Sequence, residues 1–119
     1  MTPTQHNALN KWLAEHLMGL PCAENGFNGV ILSTDILWII KDGKTVGVFA
    51  PSTDPIAAYQ VREKMRANGW HYGLYTVGNQ ILCAFYRFFK DGRACEQAPN
   101  EHEASALAAA RALGYKEEL

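Results

Sequence analysis

The stretch WHYGLYTVGNQILCAFYRFF, residues 70–89, constrains the fold more than any other part of the chain. Gly78-Asn79 at its centre supplies the positive φ that a two-residue hairpin turn needs. That turn sets Val77 against Gln80, Tyr75 against Leu82, Gly73 against Ala84 and Trp70 against Arg87. Side chains alternate between the faces of a strand. One face therefore carries Trp70, Tyr72, Leu74, Ile81, Cys83 and Phe85, and the other carries Tyr75, Val77, Leu82, Ala84, Tyr86 and Phe88. A sheet wetted on one side alternates apolar with polar, whereas this hairpin is apolar on both faces. The expectation is a central pair of strands covered on both sides by helices.

Two further turn signals extend the sheet. Asp42-Gly43 lies between DILWIIK and KTVGVF and pairs Lys41 with Lys44, Ile39 with Val46 and Trp38 with Gly47. Asp91-Gly92 repeats the device, opposing Phe88 to Cys95 and Arg87 to Glu96. Residues 20–28 read as a loop, and GVIL after it is left open as a further strand.

The covering helices announce themselves by their caps. Thr2 followed by Pro3 opens the first, with Leu9, Trp12, Leu13 and Leu17 at helical spacing and a stop at Gly19. Asp54-Pro55 opens the second, which places Ala57, Ala58, Val61 and Met65 on one stripe and ends before Gly69. The third begins near Pro99-Asn100, carries Glu101 and Glu103 in its first turn and ends at Gly114. Its alanine-rich run ASALAAARAL lets a backbone approach a sheet closely. The fold class expected is α+β: a mainly antiparallel sheet of about five strands with three helices packed on its faces, an α/β/α sandwich. A single domain would span residues 1–119, with a short frayed tail over 115–119.

Composition narrows the functional classes. Aromatic residues at 11% and hydrophobic residues at 48% of the 119 residues exclude a disordered chain. No apolar run is long enough to cross a membrane, and MTPTQHNALNKW lacks the basic-then-apolar pattern of a secretory signal. Cys22, Cys83 and Cys95 are odd in number and without CxxC spacing, which indicates free thiols and a cytoplasmic, reducing setting. Cys83, inside an apolar strand, reads as a small buried hydrophobe.

Three segments then resemble a known family. The first helix ends in Met18-Gly19, the segment PSTDPIAAYQVREKMRANGW runs from Pro51 to Trp70, and an alanine-rich helix closes the chain from Ala104 to Gly114. Together they resemble the phage ABA sandwich domain, a family of small bacteriophage and prophage proteins. The chain departs from that pattern by Pro55 after Ser52-Thr53-Asp54 and by its long aromatic strands. The resemblance implies helical layers around a sheet and a phage origin; it implies no activity and carries over no catalytic residue.

Little in the sequence assembles chemistry. His6, His16, His71 and His102 form no metal-binding spacing. Ser33, Ser52 and Ser105 lack a nucleophile-elbow setting, and no phosphate-binding glycine loop is present. No catalytic residue, metal or cofactor is expected. Ser52, Thr53 and Asp54 read as a helix cap that could also hold an anion.

The net charge of −1 hides an uneven distribution, because residues 62–93 hold 6 basic and only 2 acidic residues. Arg62 and Arg66 lie one helical turn apart, while Arg87, Lys90 and Arg93 surround the last turn beside Phe89. With Trp70 and Tyr72 they make a basic-aromatic zone suited to phosphates and stackable rings. Trp70, Arg87 and Glu96 are expected in register across three strands. Duplex DNA is disfavoured by the slightly acidic chain. The function expected is that of a small, non-enzymatic phage accessory protein acting by binding a host protein or a phosphate-bearing ligand such as a nucleotide, with counter-defence as its setting. The alternative is a self-associating module of phage assembly or regulation, a homo-oligomer, with a small hydrolase or a nucleic-acid binder ranked below it.

Overall fold

A computed structural model describes residues 1–22, 27–33, 36–87 and 93–117. The elements run α1 (Pro3–His16), β1 (Gly29–Ser33), β2 (Ile36–Lys41), β3 (Lys44–Val48), α2 (Pro55–Ala67), β4 (His71–Val77), β5 (Gln80–Tyr86), β6 (Arg93–Ala98) and α3 (Glu101–Ala112). The broad α+β sandwich class and the three helices agree with the sequence. The single sheet of about five strands does not: six strands form two antiparallel sheets, β1-β2-β3 and β4-β5-β6. GVIL is a strand after all, paired with β2 through Val30↔Ile39 and Ile31↔Trp38. It closes a first sheet that needs no strand from the second.

The caps form as the sequence dictates. Thr2 accepts the Gln5 N–H while the Gln5 side chain accepts the Thr2 N–H, a reciprocal box ahead of Pro3. Asp54 accepts the Ile56 N–H at 3.1 Å, and Asn100 accepts the Glu103 N–H at 2.9 Å. Each satisfies a donor that the first turn of a helix would leave bare.

Strand register holds at one turn and shifts at two. The Gly78-Asn79 hairpin pairs Val77↔Gln80, Tyr75↔Leu82 and Gly73↔Ala84 as expected. At Asp42-Gly43 the Lys41↔Lys44 pair forms, but an irregularity between Ile39 and Ile40 moves Ile39 opposite Gly47 and Trp38 opposite Val48. The expected Ile39–Val46 and Trp38–Gly47 pairs are thereby replaced; Val46 stands outside the ladder, 59% exposed. Between β5 and β6 the ladder sets Tyr86↔Arg93, Ala84↔Cys95 and Cys83↔Glu96. The connection is longer than a two-residue turn, so Glu96 does not face Arg87, and Cys95 is taken by Ala84 instead of Phe88. The Asp91-Gly92 turn itself, with Phe88, lies outside the described residues.

Among the described residues helical cover falls on one face of the second sheet, which corrects the expectation of helices on both. The helix-facing side of the second sheet buries Cys83 and Phe85 completely and Trp70 to 4% exposure. Its opposite side leaves Tyr75 and Val77 at 55% and 43%. Residues 71, 73, 75 and 77 run along that side, and a Cβ at Gly73 would lie only 2.5 Å from the Tyr75 hydroxyl. The missing side chain thus lets the Tyr75 ring lie over the backbone, an intrastrand cover in place of a helix. The two sheets reach each other through helices: α1 packs on β1 and β2, α1 packs on α3, and α3 packs on α2, β5 and β6.

Helix α3 can sit at this crossing because its side chains are small. Ala104, Ala106, Ala108, Ala109 and Ala110 are fully buried, so neighbours approach its backbone from several directions. The tail expected to fray from residue 115 is held to residue 117. Tyr115 is 5% exposed and packs edge-on to Trp12 at 5.2 Å, while Arg111 donates to the carbonyls of Tyr115 and Glu117 at 2.8 and 2.6 Å. Residues 118 and 119 lie outside the description. Among the described residues no helix is long and apolar enough to cross a membrane.

Candidate functional site

A cleft lies where α1 meets the open end of the β2–β3 pair. Residues 3, 6, 7 and 10 of α1 fall at helical spacing and present Pro3, His6, Asn7 and Asn10 to one side of a cleft of about 410 Å³. Ile36, Leu37, Val48 and Phe49 form its apolar wall, and Ala50 and Thr53 close the end. An apolar chamber with a few convergent polar groups is the usual form of a small-ligand site.

Buried hydrogen bonds fix the polar side of this cleft. Asn10, 3% exposed, accepts the backbone N–H of Ser52 at 3.1 Å. Because that N–H can only donate, the Asn10 atom facing it is Oδ1, and its NH₂ group has no acceptor among the described residues. His6 Nδ1 shares a hydrogen bond of 2.8 Å with Ser52 Oγ, and its Nε2 lies 3.7 Å from a Glu103 carboxylate oxygen. A serine, a histidine and a carboxylate in a row is the order of a nucleophile relay. Here Ser52 is 1% exposed and does not line the cleft, and 3.7 Å is beyond a good hydrogen bond. As it stands, the row ties the loop before α2 to α1 and to the first turn of α3.

The sequence-derived zone is dispersed by the fold. Arg66 is exposed and paired with Glu63 at 3.1 Å. Arg62, one turn earlier, is turned inward to 6% exposure, where Nη1 donates to Ser105 Oγ at 2.9 Å. Its guanidinium lies 5.8 Å from the ring centres of both Tyr59 and Tyr72. Arg87 lies over Trp70 at 3.9 Å, so that half of the expected three-strand row forms. Glu96 pairs instead with Arg111 at 3.7 Å. Arg93 is exposed opposite Tyr86, on the outer side of the sheet, while Arg87 extends the helix-facing side. Phe89 and Lys90 lie outside the described residues.

At the start of α2 the three candidate anion ligands are already engaged. Asp54 caps the helix, Thr53 donates from its hydroxyl to the Ala50 carbonyl at 3.4 Å, and Ser52 is held by His6. A carboxylate occupies the place an anion would take. His71 stacks on Tyr86 with ring centres 5.6 Å apart. Cys83 is buried, and burial pushes its thiol up to about 11; Cys22 and Cys95 are exposed and free. Among the described residues no three His, Cys, Asp or Glu side chains gather closely enough to hold a metal ion.

Sequence reasoning missed the cleft, although a signal for it was present. Pro3, His6, Asn7 and Asn10 make a polar stripe at i, i+3, i+4 and i+7 beside the apolar stripe of α1. Only the position of Ser52, 42 residues after Asn10, turns that stripe into a wall.

Comparison with known proteins bears on the fold. No protein-family model matches the chain, and no curated protein matches it. Among solved structures it is similar to a phage protein from Bacillus cereus ATCC 14579, known from a 2.0 Å crystal structure. The match covers 98% of this chain and 93% of that one, with a TM-score of 0.61 and 21% sequence identity. The chain has the fold of a phage protein. The likeness spans nearly the whole of both molecules and agrees with the phage resemblance of the three helical segments; at this identity it speaks for the fold alone.

Proposed function

We propose that the protein acts by binding, without catalysis, and that its ligand is a small molecule seated between α1 and the β2–β3 strands. The observation that carries this reading is the 410 Å³ cleft with its apolar wall and the polar stripe of α1. The ligand class follows from that lining: an apolar body with a hydrogen-bond acceptor to meet the Asn10 NH₂ group. Ser52, buried behind His6, supports a positioning part for the serine–histidine pair and not a nucleophilic one. The phage setting is carried by the fold shared with the Bacillus cereus protein. Within it, capture of a signal made by a host defence system is the role we propose, and unchanged infection of defended hosts after deletion of the gene would speak against it.

Native mass spectrometry of protein purified gently from bacterial cells tests the binding reading. The expected result is an added mass of small-molecule size, lost on denaturation and absent from Val48→Trp, whose indole would fill the cleft. Retention of the same mass in a folded Val48→Trp variant would move the ligand elsewhere, and a clean wild-type mass would remove its support.

Self-association is the second reading, favoured by the uncovered outer side of the second sheet, where Tyr75 and Val77 are exposed. Sedimentation at micromolar concentration should then find a dimer that Tyr75→Lys dissolves. A monomeric wild type would end this reading.

A further inference from the structure

Three buried nitrogen donors have no acceptor among the described residues: Nε of Arg62, Nε1 of Trp70 and Nε of Arg87. Buried donors are nearly always paired, so three together demand an explanation. All three are donors, and they sit on one side of one sheet. Trp70 and Arg87 flank the last ladder pair His71↔Tyr86, and the guanidinium lies on the indole at 3.9 Å. The next pair on that side is Tyr72↔Phe85, and Arg62 reaches over Tyr72 from α2 at 5.8 Å. Positions two apart on a strand are about 7 Å apart, so the two guanidiniums rest on neighbouring rings.

Neither charge has an ion-pair partner among the described residues. Ion pairs among the described residues engage Arg66 and Arg111, and no carboxylate reaches Arg62 or Arg87. The protein partner of Arg62 is the neutral Ser105 hydroxyl. Cys83, next to Ser105, is a thiol at neutral pH and brings no negative charge. Arg62 is 6% exposed and Trp70 4%, so bulk solvent does not reach either. With Nη1 spent on Ser105, Arg62 keeps Nε and Nη2, the edge of a guanidinium that grips two oxygens of one anion.

We propose that this corner of the second sheet is a binding site for a phosphoryl group, inorganic phosphate or a phosphate monoester, gripped by Arg87, Arg62 and the Trp70 N–H. Two cations suit a dianion better than the single charge of a carboxylate, and a tetrahedral group has oxygens enough for all three donors. Arg87 is half-buried, which gives the group its way in. The site is independent of the cleft beside α1, and either can fail alone.

The three tryptophan indole N–H resonances of ¹⁵N-labelled protein provide the test, with inorganic phosphate as the probe. Trp12→Phe and Trp38→Phe assign the Trp70 signal by elimination without touching the buried site. Phosphate is expected to move the Trp70 resonance downfield and saturably, with a Kd of about 1 mM or tighter, while Trp12 and Trp38 stay in place. Arg87→Gln should reduce the affinity at least tenfold, and sodium acetate at matched ionic strength should give no saturable shift. A Trp70 resonance that moves no more than the other two overturns the proposal, and so does equal saturation by acetate. The wild-type titration alone decides it if Arg87→Gln fails to fold.

Discussion

Asn10→Ala isolates the bond that shapes the cleft. The Asn10 carbonyl oxygen accepts a backbone N–H, that of Ser52, at 3.1 Å between residues 3% and 1% exposed. Truncation loses a bond with a net contribution of about 1 kcal/mol and strands a buried donor at a further cost of about 1–3 kcal/mol. Alanine is the better helix former by about 0.5 kcal/mol, which works the other way. The expected net loss is about 2 kcal/mol. Asn7→Ala is the matched control: same helix, same cleft, the same gain in propensity and no buried bond lost. Urea unfolding reads the difference, because at a slope of about 1.5–2 kcal/mol per molar the Asn10 variant should unfold about 1 M earlier. The Asn7 variant should remain within about 0.5 kcal/mol of wild type. Equal midpoints for the two variants would refute the reasoning. They would mean that water entering the cleft satisfies the Ser52 N–H as well as Asn10 does.

Cys83 gives a pH signature. Its folded value, raised by burial from 9.0 to about 11, lies above the unfolded one, so the unfolded chain loses its proton first. The contribution is fully present below about pH 9 and lost as pH rises toward 11, at most about 3 kcal/mol, and Cys83→Ala should flatten that part of the stability profile. Thiol reagents should modify Cys22 and Cys95 in the native protein and spare Cys83 until it unfolds. On α3, Ala109→Leu adds volume where no side-chain surface is exposed and should cost about 1–3 kcal/mol, or about 4 °C in Tm per kcal/mol. The same change at the exposed Ala67 should leave thermal unfolding near wild type.

Local chemistry was legible in the sequence, and distant register was not. Thr2-Pro3, Asp54-Pro55 and Asn100 mark helix starts because a cap is satisfied within three residues of itself. Gly78-Asn79 fixed its hairpin completely, since a two-residue turn leaves no freedom to the strands it joins. The Asp42-Gly43 hairpin was readable only to the irregularity at Ile39 and Ile40. Apolarity on both faces of β4 and β5 predicts helical cover on both. Tyr75 shows the other solution, an aromatic side chain laid along its own strand over Gly73. The site was harder still. Clustering of basic residues along the chain brought Arg62 and Arg66 under one heading, yet one turn of helix separates a buried guanidinium from a solvated one. Charge counts along a sequence carry no information on burial.

The position of α3 has a consequence for how the molecule is assembled. Each sheet is a local structure, three strands consecutive in sequence and joined by short connections, and each can pair early. What neither has is the other: they meet through α1 and α3. The alanine helix that joins them comes after every strand in the chain. Until it docks, the helix-facing sides of two half-formed layers stand open, and Phe85, Val30 and Leu37 have only part of their shared core. Docking of that helix is therefore the step that commits the fold: until then each sheet can form and dissolve reversibly, and its insertion closes the core they share.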